Sequence, residues 1–182
     1  IYEKNILEYA KLNNINIKTI VLSQNYPFPS KADINYFLNI LDKISPNSKI
    51  IIDGLALEGM YSIFNKLLTY DIIALIHHPL YLEFNGKISK NFLKLEKENF
   101  NKINKFIVTS KNTKSLLIEK FKIKNYKIFD VEPGIERLKK YNFKKNNKIH
   151  FLTCGSIINR KNYLFLLKVL KNFDNIILDI VG

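Results

Sequence analysis

Two stretches of the 182-residue chain combine residue types that can do chemistry. The first, Ile76-His77-His78-Pro79-Leu80-Tyr81-Leu82-Glu83, puts two imidazoles where an apolar run gives way to a turn. An imidazole can donate a hydrogen bond to a hydroxyl or a phosphate, or exchange a proton near neutral pH. Pro79 biases His78 toward extended backbone, and consecutive extended residues point to opposite sides, so one histidine is expected to face any cleft and the other to face away. A pair of half-exposed polar residues ending a strand is the plainer reading. The second stretch, Cys154-Gly155-Ser156-Ile157-Ile158-Asn159-Arg160-Lys161-Asn162, leads from an apolar run into a helical pattern. Gly155 permits positive φ or close backbone approach, and the helix that follows offers unpaired N–H groups. Arg160 and Lys161 fall near that helix start, where a cation costs about 0.3 to 1 kcal/mol against the helix dipole. Charge-assisted hydrogen bonds to a phosphate return about 1.5 to 3 kcal/mol each, so a bound anion resolves the conflict. The alternative is that both cations reach into solvent.

These stretches need elements to hold them. Apolar, largely β-branched runs at Ile17 to Leu22, Ile50 to Ile52, Ile72 to Ile76, Phe106 to Val108, Ile128 to Val131, Ile149 to Leu152 and Ile176 to Val181 predict strands covered on both faces. Helical patterns lie between them at Ile1 to Leu12, Ala32 to Ile44, Leu57 to Leu68, Ile88 to Ile103, Thr113 to Phe121 and Tyr163 to Leu170. In the last, Tyr163, Leu166, Leu167 and Leu170 mark one buried face. The alternation predicts βαβ units in a doubly wound parallel sheet. Ligands of such sheets bind beyond the carboxyl ends of the strands, where both chemical stretches fall. At the other strand ends, Ser110 reads as a helix N-cap, with ligand contact secondary. Asp53 and Glu58 read as solvated carboxylates, with a cleft position as the alternative. Cys154, with no base nearby in sequence, is expected to pack as a small apolar residue.

After Glu132-Pro133-Gly134 the polar connector Glu136 to Lys148 interrupts the rhythm. It predicts a domain boundary, with residues 1–140 forming most of one α/β domain and residues 141–182 the linker and beginning of another. The chain starts without Met and stops directly after the run Ile176 to Val181, so a segment cut at both ends is expected.

Composition narrows the classes further. At 47% hydrophobic and 25% charged, the chain is neither a disordered tail nor a disulfide-stapled miniprotein. Its single cysteine allows no internal disulfide and fits a reducing compartment, and no Cys or His cluster has zinc-ligand spacing. No apolar run approaches the roughly 18 to 20 residues that cross a bilayer. The net charge of +13 invites a nucleic-acid reading. However, 27 Lys, 23 Asn and 28 Ile against 2 Arg is a genome-wide AT-rich bias, and the lysines are scattered without interleaved aromatics. A solvated basic surface is therefore expected, with weak attraction to anionic lipid and no nucleic-acid partner.

In order and spacing the motifs resemble glycosyltransferase family 4, the group 1 transferases of GT-B architecture with two facing Rossmann-like domains. The resemblance rests on His77-His78-Pro79-Leu80 with Glu83, a helix carrying Glu96, Phe106-Ile107-Val108-Thr109-Ser110 followed by Thr113, and Val131-Glu132-Pro133-Gly134. It continues through Phe151-Leu152-Thr153-Cys154-Gly155-Ser156, Arg160-Lys161-Asn162 and Ile177-Leu178-Asp179-Ile180-Val181-Gly182. It implies transfer of a sugar, with retention, from a nucleotide-sugar donor to a glycan or lipid-linked acceptor. Envelope polysaccharide synthesis is expected in the cytoplasm or on the inner face of the membrane. His77, with His78 as its neighbour, would act at the reaction centre. Gly155, Ser156, Arg160 and Lys161 would bind the donor diphosphate, Glu83, Ser110 and Gly134 would line the cleft, and no metal or other cofactor would be needed.

Two positions depart from the family: Ser156 stands where many members have Arg, and Asn162 where Gly is usual. The glycine-rich acceptor loop and the downstream glutamate pair are missing from the sequence, so the segment alone is expected to be inactive. Two other readings remain: a GT-B enzyme of nucleotide-sugar epimerase type, and a non-catalytic basic α/β module binding RNA or an acidic partner.

Overall fold

The computed structural model describes residues 2–134 and 147–182, apart from the side chain of Arg160. The chain divides into two units, Ile1–Ile135 and Glu136–Gly182. The expected boundary between 140 and 141, and most of the connector Glu136 to Lys148, lie outside the described residues.

In the first unit, four parallel strands form one sheet in the order β1 (Lys49–Asp53), β2 (Asp71–Ile76), β3 (Lys105–Val108) and β4 (Ile128–Asp130). The fold is thus α/β with a parallel sheet, as the alternating pattern predicts. The register aligns Ile50 with Ile72, Ala74 with Phe106, and Phe106 with Ile128. With strands in sequential order, right-handed crossovers place every connecting helix on the same face.

Packing agrees with that rule. Ile52, Ile72, Ala74, Ile76, Phe106, Val108 and Ile128 share one core with Leu57 of α3 (Gly54–Gly59) and Phe64 and Leu67 of α4 (Phe64–Leu67). Phe100 of α5 (Gly86–Phe100) and Leu117 and Phe121 of α6 (Lys111–Phe121) complete it, with Phe37 and Leu41 of α2 (Lys31–Leu41) added. The opposite face is less covered: Leu75 is buried and Ile73 and Ile107 are half-buried, but Ile51 and Phe129 are each 53% exposed. Strands closed on both faces, as expected from their continuous apolarity, are therefore not found across this sheet.

Most elements match their sequence patterns, with two departures. The run Ile17 to Leu22 forms no strand, and Val21 is 78% exposed. Apolar residues become a strand only where a neighbour's ladder satisfies their backbone, and β1 has β2 on one side and no described strand on the other. The helix expected over Leu57 to Leu68 is broken into α3, a 3-10 turn at Tyr61–Ile63, and α4. The break follows Gly59, a weak helix former packed so closely that a Cβ there would stand 2.6 Å from Cδ1 of Tyr26. Helix α2 is well started: Ser30 accepts from the Asp33 amide, and Asp33 returns the bond to the Ser30 amide at 2.8 Å, a complete capping box.

The second unit is a single β-α-β: β5 (Ile149–Cys154), α7 (Tyr163–Leu170) and β6 (Ile176–Val181), with the strands parallel and Leu152 opposite Asp179. None of its described residues is buried, and Leu152, Leu164 and Phe165 are largely exposed. The face expected to be buried on α7 is covered only in part: Tyr163, Leu166 and Leu170 are half-buried, while Leu167 is 45% exposed.

Phe106 lies fully buried in β3, its ring edge-on to Phe100 at 5.6 Å between centroids. Phe106→Ala should lower unfolding free energy by about 3 to 5 kcal/mol in denaturant titrations.

Candidate functional site

The carboxyl ends of β1, β2 and β3 bring Asp53, His77 and Ser110 to one edge. His77 follows β2. Its Nε2 lies 2.7 Å from Oε1 of Glu3, in the first turn of α1 (Tyr2–Leu12), and 3.5 Å from Oδ2 of Asp53, the last residue of β1. The Tyr2 ring meets the imidazole edge-on at 5.6 Å. Asp53 also caps α3, its Oδ1 accepting from the Leu55 amide at 2.9 Å. Burial alone would raise the Glu3 carboxyl, but its own backbone amide and the His77 imidazole outweigh that and hold it below the usual value.

The His77 carbonyl accepts from Thr113 Oγ1 at 2.8 Å. Ser110 caps α6 as predicted, its Oγ accepting from the Thr113 amide at 3.1 Å. Thr113 thus ties the cap of α6 to the backbone that carries His77.

The two histidines have different partners. His78 Nε2 makes a short contact to Oε1 of Glu83, in the 3-10 turn Leu80–Glu83, and both imidazoles remain partly exposed. That turn is held from beneath. Glu96 of α5, 1% exposed, accepts from the Leu80 amide at 2.5 Å and the Tyr81 amide at 3.2 Å. Gly134 is exposed, and a Cβ there would meet nothing within 4 Å.

Among the described residues, Glu3, Asp53 and His77 form the group that could hold a metal ion, with one ligand atom from each and all three within 4.8 Å of one another. Two oxygens and one nitrogen suit a divalent cation of intermediate hardness. His77 Nε2 already lies within hydrogen-bond distance of Glu3 Oε1.

Glu58 corrects the expectation of a solvated carboxylate. It is 1% exposed, and neither carboxylate oxygen has a hydrogen-bond partner. Burial, and then the charge of Glu96, push its pKa up to about 8. Burial also pushes Glu96 up to about 7, against the pull of the Leu80 and Tyr81 amides. The two amides favour the charged form of Glu96, and Glu58 has no such partners.

In the second unit, Gly155 ends β5 with φ +147°, a conformation that favours glycine. Lys161 folds back over it: a Cβ at Gly155 would lie 3.5 Å from Lys161 Cε and 3.8 Å from its Nζ. Tyr163 Oη donates to the Gly155 carbonyl at 2.8 Å. Lys161 closes a 3-10 turn, Asn159–Lys161, and Asn162 then adopts the left-handed conformation, φ 52°, before α7 begins. Asn tolerates that region better than other non-glycine residues, which accounts physically for Asn where the resembled family has Gly. Ser156 is exposed, and its carbonyl accepts from the Ile158 amide at 2.9 Å. Cys154 is exposed rather than packed, because the two-stranded sheet leaves the end of β5 uncovered. The Arg160 side chain lies outside the described residues.

The structure thus gathers His77, Asp53 and Ser110 at one sheet edge, with His78 and Glu83 on the turn beside it, and sets Lys161 against Gly155 in the second unit. The motifs gave no sign of Glu3. The signal for Glu58 was a lone carboxylate in the apolar stretch Gly54-Leu55-Ala56-Leu57-Glu58-Gly59-Met60. No helix among the described residues is long and apolar enough to cross a membrane. Compared with known proteins, the chain matches no family model and no curated protein.

Glu58 and Glu96 both hold their protons more tightly in the fold than at the ordinary carboxyl value of 4.5. Their stabilising contribution is therefore complete below about pH 4.5 and lost as pH rises through about 7 and 8. Denaturant titrations should show Glu58→Gln matching the parent at pH 5 and exceeding it by on the order of 3 kcal/mol at pH 9. Equal pH dependence in both proteins would contradict the burial argument.

Proposed function

We propose that this chain belongs to a retaining glycosyltransferase of GT-B type, with a Rossmann-like first domain and the start of a second. It transfers a sugar from a nucleotide-sugar donor to a glycan or lipid-linked acceptor. The observation that carries the reading is the cationic end of β5, where the Lys161 amine is folded over a positive-φ glycine. A departing nucleoside diphosphate gathers negative charge, and an exposed ammonium at this strand end stabilises it. Lys161, with Gly155, Ser156 and Arg160, takes that role, and no metal is required for it.

His77 supports the same reading from the first unit. It stands at the carboxyl end of β2, where open α/β sheets bind ligands, and Glu3 and Asp53 orient its Nε2. In the proposed reaction the bond from the anomeric carbon to the diphosphate oxygen breaks, with its electron pair leaving on the diphosphate. The acceptor hydroxyl oxygen bonds to the same face of that carbon and passes its proton to the departing diphosphate oxygen, while the imidazole hydrogen-bonds the transferring sugar. Glu83, Ser110 and Gly134 belong to the surrounding surface. Envelope polysaccharide synthesis, at the cytoplasmic face and with weak attraction to anionic lipid, is the setting we propose.

Calorimetry with UDP, GDP and ADP tests the phosphate role. The parent should bind at least one of them, and Lys161→Ala should weaken that binding by roughly 10- to 100-fold, the value of one charge-assisted contact. Equal affinity in the two proteins removes Lys161 from the site.

A further inference from the structure

The turn that carries Glu83 is fixed by a carboxylate that nothing in the exposed chemistry accounts for. Glu96 is buried on α5, and both its oxygens are committed to backbone: Oε1 to the Leu80 amide and Oε2 to the Tyr81 amide. These are the first two amides of the 3-10 turn Leu80–Glu83, which would otherwise lack acceptors, because no side chain of the turn's own N-cap, Pro79, can supply one. Glu83 sits at the other end of that turn, and its Oε1 meets His78 Nε2. A continuous set of contacts therefore runs from a buried carboxylate, through one turn of backbone, to an imidazole at the sheet edge.

We propose that Glu96 is the positioning residue of the paired-histidine loop, clamping Leu80 and Tyr81 so that Glu83 is presented to His78. Such a clamp holds the loop whatever ligand the histidines meet.

The clamp depends on charge. An ionised Glu96 accepts from both amides, whereas a protonated carboxyl turns a hydroxyl toward one of them and keeps a single good acceptor. Glu58 of α3 stands behind it, buried and without hydrogen-bond partners, and so does not share its proton through a direct bond. The other titratable or charged groups facing the clamp are few. Tyr81 and Glu83 belong to the turn itself and His78 precedes it, while Lys120 of α6 lies 6.0 Å over the Tyr81 ring. Near Glu58, Tyr26 packs against Gly59 with its hydroxyl buried. Burial holds the ionisation of Glu96 near neutrality rather than in the ordinary carboxyl range, so the clamp tightens as the pH passes about 7.

This separates positioning from mere structural support. Global stability should fall as pH rises, because both carboxyls are buried, and a loop that only followed global stability would loosen with it. The clamp requires the opposite. Hydrogen exchange followed by NMR, corrected for intrinsic exchange, should show protection of the Leu80 and Tyr81 amides rising on the order of tenfold between pH 6 and pH 8. Core amides such as Phe106 should not rise. Glu96→Gln should abolish that rise and shift the His78 ring signals, while Glu98→Gln, an exposed change on the same helix, should do neither. If the Leu80 and Tyr81 amides in the parent lose protection in step with the core, or do not respond to pH, the proposal is overturned, and this reading does not depend on any variant folding.

Discussion

The constraint on which the first unit depends is that all four strands run the same way. In a parallel sheet every strand delivers its carboxyl end to one edge, so residues far apart in sequence meet there. Here Asp53, His77 and Ser110 arrive from three strands, and α1 adds Glu3. Strand β2 matters most, because it has a neighbour on each side and its ladder positions are occupied from Asp71 to Ile76. The chain can leave the sheet there only through His77. The contact to Glu3, the hydrogen bond from Thr113 and the turn at Leu80–Glu83 all follow from that exit.

The interior beneath the edge is unusual in charge rather than in packing. The chain is strongly basic, with a net charge of +13, yet the two most deeply buried ionisable groups among the described residues are acidic. One has two backbone amides to accept from and the other has nothing. An unpaired buried carboxylate carries a heavy desolvation penalty, which it avoids by keeping its proton, and the neighbouring carboxylate reinforces that choice. The contrast between Glu96 and Glu58, similar in burial and different in partners, is what makes the turn responsive to pH.

Much of the fold was legible because apolar periodicity and strand-end rules are local. Six of the seven predicted strands form, and α7 begins and ends on the residues its spacing marks. Ile17 to Leu22 failed because strand formation is a pairing event, and composition cannot say whether a neighbour exists. The helix predicted from Leu57 broke at Gly59 because Tyr26, distant in sequence, packs against that glycine. The site was legible in part. Strand-end logic led to His77, His78, Ser110 and Gly155, and the capping role of Ser110 followed from its type. Glu3 was not legible, since an acidic residue in a first helical turn is explained by the helix dipole alone. Nor was the clamp by Glu96, because its partners are backbone amides and every sequence has those. Asn162 is a middle case: an unremarkable asparagine in sequence becomes intelligible once its left-handed φ is seen.

The claim with the widest consequences is that the end of β5 holds a diphosphate. Heteronuclear correlation spectra of the labelled protein, recorded during titration with a nucleoside diphosphate, map that contact residue by residue. The account predicts that the signals of Gly155, Ser156 and Lys161 move together and saturate, while those at the opposite sheet edge of the first unit, Lys49, Asp71 and Lys105, stay in place. Saturating shifts that avoid Gly155, Ser156 and Lys161, or none at any nucleotide concentration, would contradict it.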